Sequence, residues 1–137
     1  MSFVLANWYL FLALAVVLAL LGGTTLLPRF YGIRTLNTAE AVRLMNQEQG
    51  VVVDVCEAAE FKGGHIPHAV SAPLSGLKGH LGALEKYRAR PLIVTCRSGN
   101  RSVRGAILLH KQGFTRVYSL GGGLAAWQRD NLPVETG

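Results

Sequence analysis

One stretch of the sequence decides the fold of this chain: Leu92-Ile93-Val94-Thr95-Cys96-Arg97-Ser98-Gly99-Asn100-Arg101-Ser102. Its first four residues form a short, mostly apolar run of the kind that is buried on both faces of a parallel β-sheet. The residues after it place Val103, Ala106, Ile107 and His110 on one face at helical spacing. The stretch therefore predicts a strand, a tight loop and a helix, with Cys96 at the carboxyl end of the strand.

Strand-like and helix-like segments alternate along the rest of the chain. Strands are predicted at 33–36, 51–55, 69–71, 92–95 and 116–119, and helices at 38–49, 57–62, 75–87, 102–112 and 124–130. Asn37 followed by Glu40 is a capping box at the start of the first of these helices. The alternation predicts an α/β domain with a mostly parallel, about five-stranded sheet flanked by helices. Ligands of such sheets bind beyond the carboxyl ends of the strands, where Cys96 and Cys56 lie.

The amino-terminal part of the sequence is different in character. Residues 1–27 contain no charged side chain, and the apolar run from 3 to 27 exceeds the roughly 20 residues that a membrane-spanning helix needs. A cleaved signal peptide would require a basic region before the run and a small-x-small cleavage site after it, and the sequence has neither. We predict a transmembrane helix with its flanks over 1–28, a juxtamembrane linker with the first strand over 29–36, and a globular domain over 37–137.

All 14 Lys and Arg residues and all 8 Asp and Glu residues follow Leu27, so the part of the chain after Leu27 carries the whole formal net charge of +6. The basic side chains are scattered along the sequence and form no basic stripe with interleaved aromatic residues. The sequence therefore does not predict nucleic-acid binding. Arginines follow the apolar segment and none precedes it, which predicts a single-pass protein of the plasma or inner membrane. Its amino terminus would lie outside and its domain in the cytoplasm. Two cysteines are too few for a secreted disulfide scaffold.

The loop from Cys96 to Ser102 is suited to hold negative charge. Its backbone N–H groups and the start of the following helix favour a thiolate at Cys96. Arg97 and Arg101 can attract an anion, and Gly99 permits a tight turn. Three further side chains can donate hydrogen bonds, namely those of Ser98, Asn100 and Ser102. The loop therefore predicts a cysteine nucleophile with an anion site, and no spacing in the sequence indicates a metal or a cofactor.

The chain from about 33 to 134 resembles a single-domain rhodanese, a sulfurtransferase module. Three separated segments carry the resemblance: Val53-Asp54-Val55 with Glu60-Phe61, then Gly64-His65-Ile66-Pro67 with Ala69 and Pro73, then Cys96-x-x-Gly99-x-Arg101-Ser102. The carboxyl-terminal part also fits the family, through Leu120-Gly121-Gly122-Gly123, Trp127 and Leu132-Pro133-Val134.

The resemblance implies a two-step sulfur transfer without a cofactor. Cys96 would take a sulfur atom from a small anionic donor such as thiosulfate and form a persulfide. A thiol, cyanide or a protein acceptor would then remove that sulfur. Substrate contacts would fall on the loop residues Arg97, Ser98, Gly99, Asn100, Arg101 and Ser102, whereas Asp54 and His65 would be structural.

The chain departs from the family pattern at two positions. Cys56 stands where the family usually has arginine, and His68 where glycine is common. We hypothesise that Cys56 is an accessory thiol that resolves the Cys96 persulfide or sulfenate into a disulfide. It could do so only if the two Cα atoms lie within about 7 Å of each other.

Two other functions stay open. One is a non-enzymatic persulfide carrier or interaction module with the same cysteine. The other is a cysteine phosphatase or arsenate reductase, which the spacing disfavours. A Cys-x5-Arg loop would place its arginine at position 102, where this chain has Ser102 after Arg101.

Overall fold

The computed structural model describes the backbone of residues 2–30 and 33–137, and the side chains of 22–30 lie outside the described part. The chain divides into two compact units, Met1–Gly32 and Ile33–Gly137. The first unit contains two helices, α1 (Ser2–Ala6) and α2 (Trp8–Phe30).

Among the described residues, no helix is both long and apolar enough to cross a membrane. The transmembrane helix that the sequence predicts over 1–28 is therefore not supported by the structure. Residue 1 and the side chains of 22–28 in that predicted segment lie outside the described residues.

The second unit is built on a five-stranded sheet in the order β1-β5-β4-β2-β3. Its strands are β1 (Arg34–Leu36), β2 (Val51–Asp54), β3 (Val70–Ser71), β4 (Leu92–Thr95) and β5 (Val117–Leu120). All four pairings are parallel, so the predicted sheet is confirmed and is more regular than expected. Every residue of β2 and β4 is buried, as their unbroken apolar runs indicate. The carboxyl ends of all five strands meet at one edge.

Five helices connect or flank the strands: α3 (Thr38–Gln47), α4 (Ala58–Gly63), α5 (Leu81–Leu84), α6 (Asn100–Lys111) and α7 (Gly123–Arg129). The predicted capping box of α3 is confirmed. The Asn37 side chain accepts the Glu40 N–H at 2.8 Å, and the Glu40 carboxylate accepts the Asn37 N–H at 3.2 Å.

The single helix predicted over 75–87 is wrong in type. The segment consists of a 3-10 helix (Leu74–His80), the short α5, and a second 3-10 turn (Glu85–Tyr87), with a kink at Gly76. Three glycines, at 76, 79 and 82, lower the helix propensity of this segment by about 1 kcal/mol each relative to alanine. The apolar spacing still determines burial, because Leu77 and Leu84 both lie in the core.

One face of the sheet packs against α3 and α7. The buried residues of this layer are Leu36, Ala41, Val52, Ile66, Ile93, Leu120, Leu124 and Trp127. α6 packs against β4 and β5. The start of α6 is thereby brought to the carboxyl edge of the sheet, beside the end of β4.

Candidate active site

Cys96 lies directly after β4 and is 1% exposed. Its sulfur accepts the backbone N–H of Gly99 at 3.0 Å and that of Ser102, in the first turn of α6, at 3.3 Å. Two backbone N–H groups directed at one sulfur atom form a site that can donate hydrogen bonds to a negatively charged sulfur. The sequence-predicted nucleophile therefore sits at the expected strand end, in a loop whose backbone can hold a thiolate or a persulfide.

Ser102 holds the loop in this shape. Its hydroxyl donates to the Gly99 carbonyl at 2.8 Å and lies 2.9 Å from the hydroxyl of Ser119 in β5. Gly99 itself has a φ of 99°, in the left-handed region that favours glycine. The Ser102 side chain therefore fixes the loop to the sheet, and it is the Ser102 N–H that contacts the sulfur. Ser98 and Asn100 are exposed.

The start of α7 packs against the backbone of the cysteine loop. The N–H groups of Leu124 and Ala125 donate to the carbonyls of Cys96 and Arg97, at 2.7 and 3.0 Å. Gly123 has a φ of 56°, and a Cβ atom there would lie 2.1 Å from the Cys96 carbonyl oxygen. The glycine run before α7 thus allows the helix to approach the loop backbone. In the sequence this run was evident only as part of the family resemblance.

Glu60, in α4, contacts both arginines of the loop. Its carboxylate accepts two hydrogen bonds from Arg101, at 2.7 and 2.9 Å, and lies 3.0 Å from Nε of Arg97. Hydrogen bonds from Arg101 are the main reason that the pKa of Glu60 falls from its ordinary 4.5 to about 2. Those same bonds are the main reason that the pKa of Arg101 is raised.

The two arginines therefore differ, although the sequence suggested equal roles in binding a donor. Both terminal nitrogens of the Arg101 guanidinium donate hydrogen bonds to Glu60. Arg97 lies 3.0 Å from the same carboxylate through its Nε, and 55% of its side chain is exposed. Sequence reasoning did not include Glu60 in the site. The available signal was its place in the Glu60-Phe61 motif, but a partner 41 positions away cannot be read from spacing alone.

Cys56 is buried in a different environment. Its N–H donates to the Asp54 carboxylate at 2.9 Å, which gives Asp54 the structural role expected of it. Burial, followed by the charge and hydrogen bonding of Asp54, raises the pKa of the Cys56 thiol to about 12. Both cysteines are free. A thiol of this kind is almost entirely protonated at neutral pH, which argues against the accessory role hypothesised from the sequence.

His65 contacts α4 and the carboxyl-terminal segment. Its ring stacks on Phe61 with 3.7 Å between centroids, and its Nδ1 lies 2.8 Å from the Phe61 carbonyl oxygen. Its backbone pairs with Glu135. These contacts hold the carboxyl-terminal segment against α4, so His65 is structural. His68 adopts a φ of 66°, a left-handed conformation that suits the glycine common there in the resembled family.

Known proteins share this sequence pattern and fold. The Rhodanese-like domain family matches residues 37–130. The Escherichia coli K12 protein YibN, itself uncharacterised, is 37% identical over 106 residues, covering 77% of this chain and 74% of that protein. The thiosulfate sulfurtransferase GlpE of Pseudomonas savastanoi pv. phaseolicola is 34% identical over 97 residues, or 71% and 89% of the two chains.

A solved structure agrees with these relatives. The crystal structure of a rhodanese-related protein from Thermoplasma volcanium superimposes with a TM-score of 0.66 at 29% identity, covering 76% of this chain and 99% of that one. The parallel sheet, the cysteine loop at its edge and these matches lead to one conclusion. This chain belongs to the rhodanese-like family.

Proposed function

We propose that this protein is a sulfurtransferase that moves a sulfane sulfur from a small anionic donor, such as thiosulfate, to a thiophilic acceptor through a Cys96 persulfide. The observation that carries the proposal is the pair of N–H groups, from Gly99 and Ser102, directed at the Cys96 sulfur. Relatives named as sulfurtransferases support the reaction class.

The two steps balance without a cofactor. The Cys96 thiolate attacks the outer sulfur of thiosulfate, a new S–S bond forms, and the donor S–S bond breaks, so that sulfite leaves with the electron pair. The outer sulfur of the persulfide carries the negative charge, which the loop N–H groups can stabilise. A cyanide or thiol acceptor then attacks that outer sulfur. With cyanide the products are thiocyanate and the regenerated thiolate.

The shape of the loop favours sulfur transfer over phosphate chemistry. A phosphate site would need the loop arginine to wrap the anion, but both terminal guanidinium nitrogens of Arg101 donate to Glu60. A persulfide carrier that passes sulfur to a protein acceptor uses the same Cys96 chemistry. Catalytic turnover with small molecules separates an enzyme from such a carrier.

The assay is thiocyanate formation by the full-length chain from thiosulfate and cyanide, with Cys96→Ala and Cys56→Ser alongside. We expect turnover in the natural protein and in Cys56→Ser, and none in Cys96→Ala. Single-turnover persulfide at Cys96 without thiocyanate release would favour the carrier. Activity that survives Cys96→Ala would contradict the proposal.

We also propose that residues 1–28 attach the protein to the plasma or inner membrane, with the domain on the cytoplasmic side. The support is in the sequence: the uncharged run is followed by Arg29, Arg34 and Arg43 and preceded by no basic residue. Membrane fractionation with protease protection tests both parts. Recovery of the full-length chain in the soluble fraction would contradict the attachment, and digestion of the domain from outside intact cells would contradict the orientation.

A further inference from the structure

We infer that Glu60 sets the charge selectivity of the loop, by lowering its preference for dianionic thiosulfate relative to monoanionic sulfane-sulfur donors of the thiosulfonate or persulfide type. The inference rests on the proposed sulfur transfer and adds a residue that determines its specificity. Glu60 acts through the two loop arginines and is a positioning residue in this account.

The Glu60 carboxylate accepts three hydrogen bonds and makes one further ion-pair contact. Oε1 accepts from Arg101 Nη1 at 2.7 Å and from the Glu57 N–H at 3.2 Å. Oε2 accepts from Arg101 Nη2 at 2.9 Å and lies 3.0 Å from Arg97 Nε. A bidentate arginine pair of this kind has both charge and geometry defined. The carboxylate therefore stays close to the loop.

Glu60 halves the positive charge that the sequence alone places at the site. With a pKa of about 2, its carboxylate is ionised at neutral pH. Two guanidinium groups and one carboxylate leave a net charge of +1, where Arg97 and Arg101 alone would give +2. This lower positive charge weakens the attraction of the site for an anionic donor, and the loss is larger for a donor that carries two charges than for a donor that carries one.

Donors that differ by one charge make this selectivity measurable. Thiosulfate and methanethiosulfonate both present a terminal sulfane sulfur, but the first is a dianion and the second a monoanion. Attack by Cys96 gives the same persulfide from each, releasing sulfite from one and methanesulfinate from the other. Because charge–charge energy scales with the product of the charges, a change at Glu60 acts about twice as strongly, in free energy, on the dianion.

The test is Glu60→Gln in the full-length chain, which removes the charge and retains a similar side-chain shape. We expect KM to fall about twofold for methanethiosulfonate and about fourfold or more for thiosulfate, with kcat changed less than twofold. The difference between the donors should shrink at 1 M salt, where the Debye length is about 3 Å. Glu48→Gln is the matched control, because Glu48 pairs with Arg116 at the amino end of β5, the opposite edge of the sheet.

The outcomes are distinguishable. Equal KM changes for both donors, or a loss of kcat with unchanged KM, would show that Glu60 only holds the loop and would overturn the charge selectivity. If Glu60→Gln does not fold, Arg97→Gln provides the reverse test, since it must raise KM more for thiosulfate than for methanethiosulfonate. If the natural protein forms no persulfide with either donor, the sulfurtransferase proposal itself fails.

Discussion

Replacing Gly123 with alanine tests whether the start of α7 supports the cysteine loop. The new Cβ atom would lie 2.1 Å from the Cys96 carbonyl oxygen and 2.9 Å from the Arg97 carbonyl carbon. Neither atom belongs to a flexible side chain, so the loop or the helix has to move by about 1 Å. Such movement would disrupt the 2.7 Å hydrogen bond from Leu124 N–H to the Cys96 carbonyl.

Two costs add at this position. A non-glycine residue in the left-handed region, here at a φ of 56°, costs about 1–2 kcal/mol. Overpacking of a tight contact costs about 1–3 kcal/mol more. The sum of about 2–5 kcal/mol is a large part of the 5–15 kcal/mol that stabilises an ordinary domain. In a domain of this size it corresponds to a fall in Tm of at least about 10 °C.

The assay compares thermal unfolding and sulfur-transfer rate in Gly123→Ala and Gly82→Ala. Gly82 lies in α5, and a Cβ atom there meets nothing within 4 Å, so its replacement should stabilise by up to about 1 kcal/mol and leave transfer unchanged. A 1 Å displacement at Cys96 should lower transfer about a hundredfold in Gly123→Ala. Unchanged Tm and rate in Gly123→Ala would refute the idea that α7 supports the loop.

Three further predictions concern single side chains. Iodoacetamide at pH 7.5 should alkylate Cys96 well before Cys56, because the Cys56 thiol has a pKa of about 12. Peptide mass spectrometry measures the labelling of each cysteine, and equal labelling would contradict this account of Cys56. Because folding lowers the pKa of Glu60 from 4.5 to about 2, the unfolded chain binds more protons between these values, so stability should fall as pH drops from about 5 to 2. Urea unfolding should show that Glu60→Gln loses about 1–2 kcal/mol less free energy of unfolding over this pH range, after allowance for solvent screening. An unchanged pH dependence would count against the ion pair. Asn37→Ala should cost about 1 kcal/mol through loss of the capping box, and circular dichroism melting that shows no shift would contradict it.

Much of the fold follows from local sequence pattern. The apolar runs of β2 and β4 are short, unbroken and bounded by turn residues, which fixes them as buried parallel strands. The box formed by Asn37 and Glu40 defines the start of α3. The segment from 75 to 87 was harder, because its leucine spacing fits a helix while its glycines weaken one. The leucine spacing predicted which residues are buried, whereas the glycines account for the 3-10 turns that replace a regular α-helix.

The site depends on contacts between distant parts of the chain, which local pattern does not contain. The loop itself was visible as a cysteine between a strand and a helix. The carboxylate that binds its arginines comes from α4, 41 positions before Arg101. The glycine run before α7 gains its role only because the β1-β5-β4 order places the end of β5 beside the loop. The approach of the glycine run to the loop can be predicted only when the order of the strands in the sheet is known, and the sequence did not specify that order.

The most direct test of the central claim is intact-mass and peptide mass spectrometry of the full-length protein after brief reaction with thiosulfate and before any acceptor is added. The account predicts one added sulfur atom, about 32 Da, on the peptide that contains Cys96, released by cyanide as thiocyanate and absent in Cys96→Ala. An unmodified Cys96 peptide, or a sulfur atom carried on Cys56 instead, would contradict it.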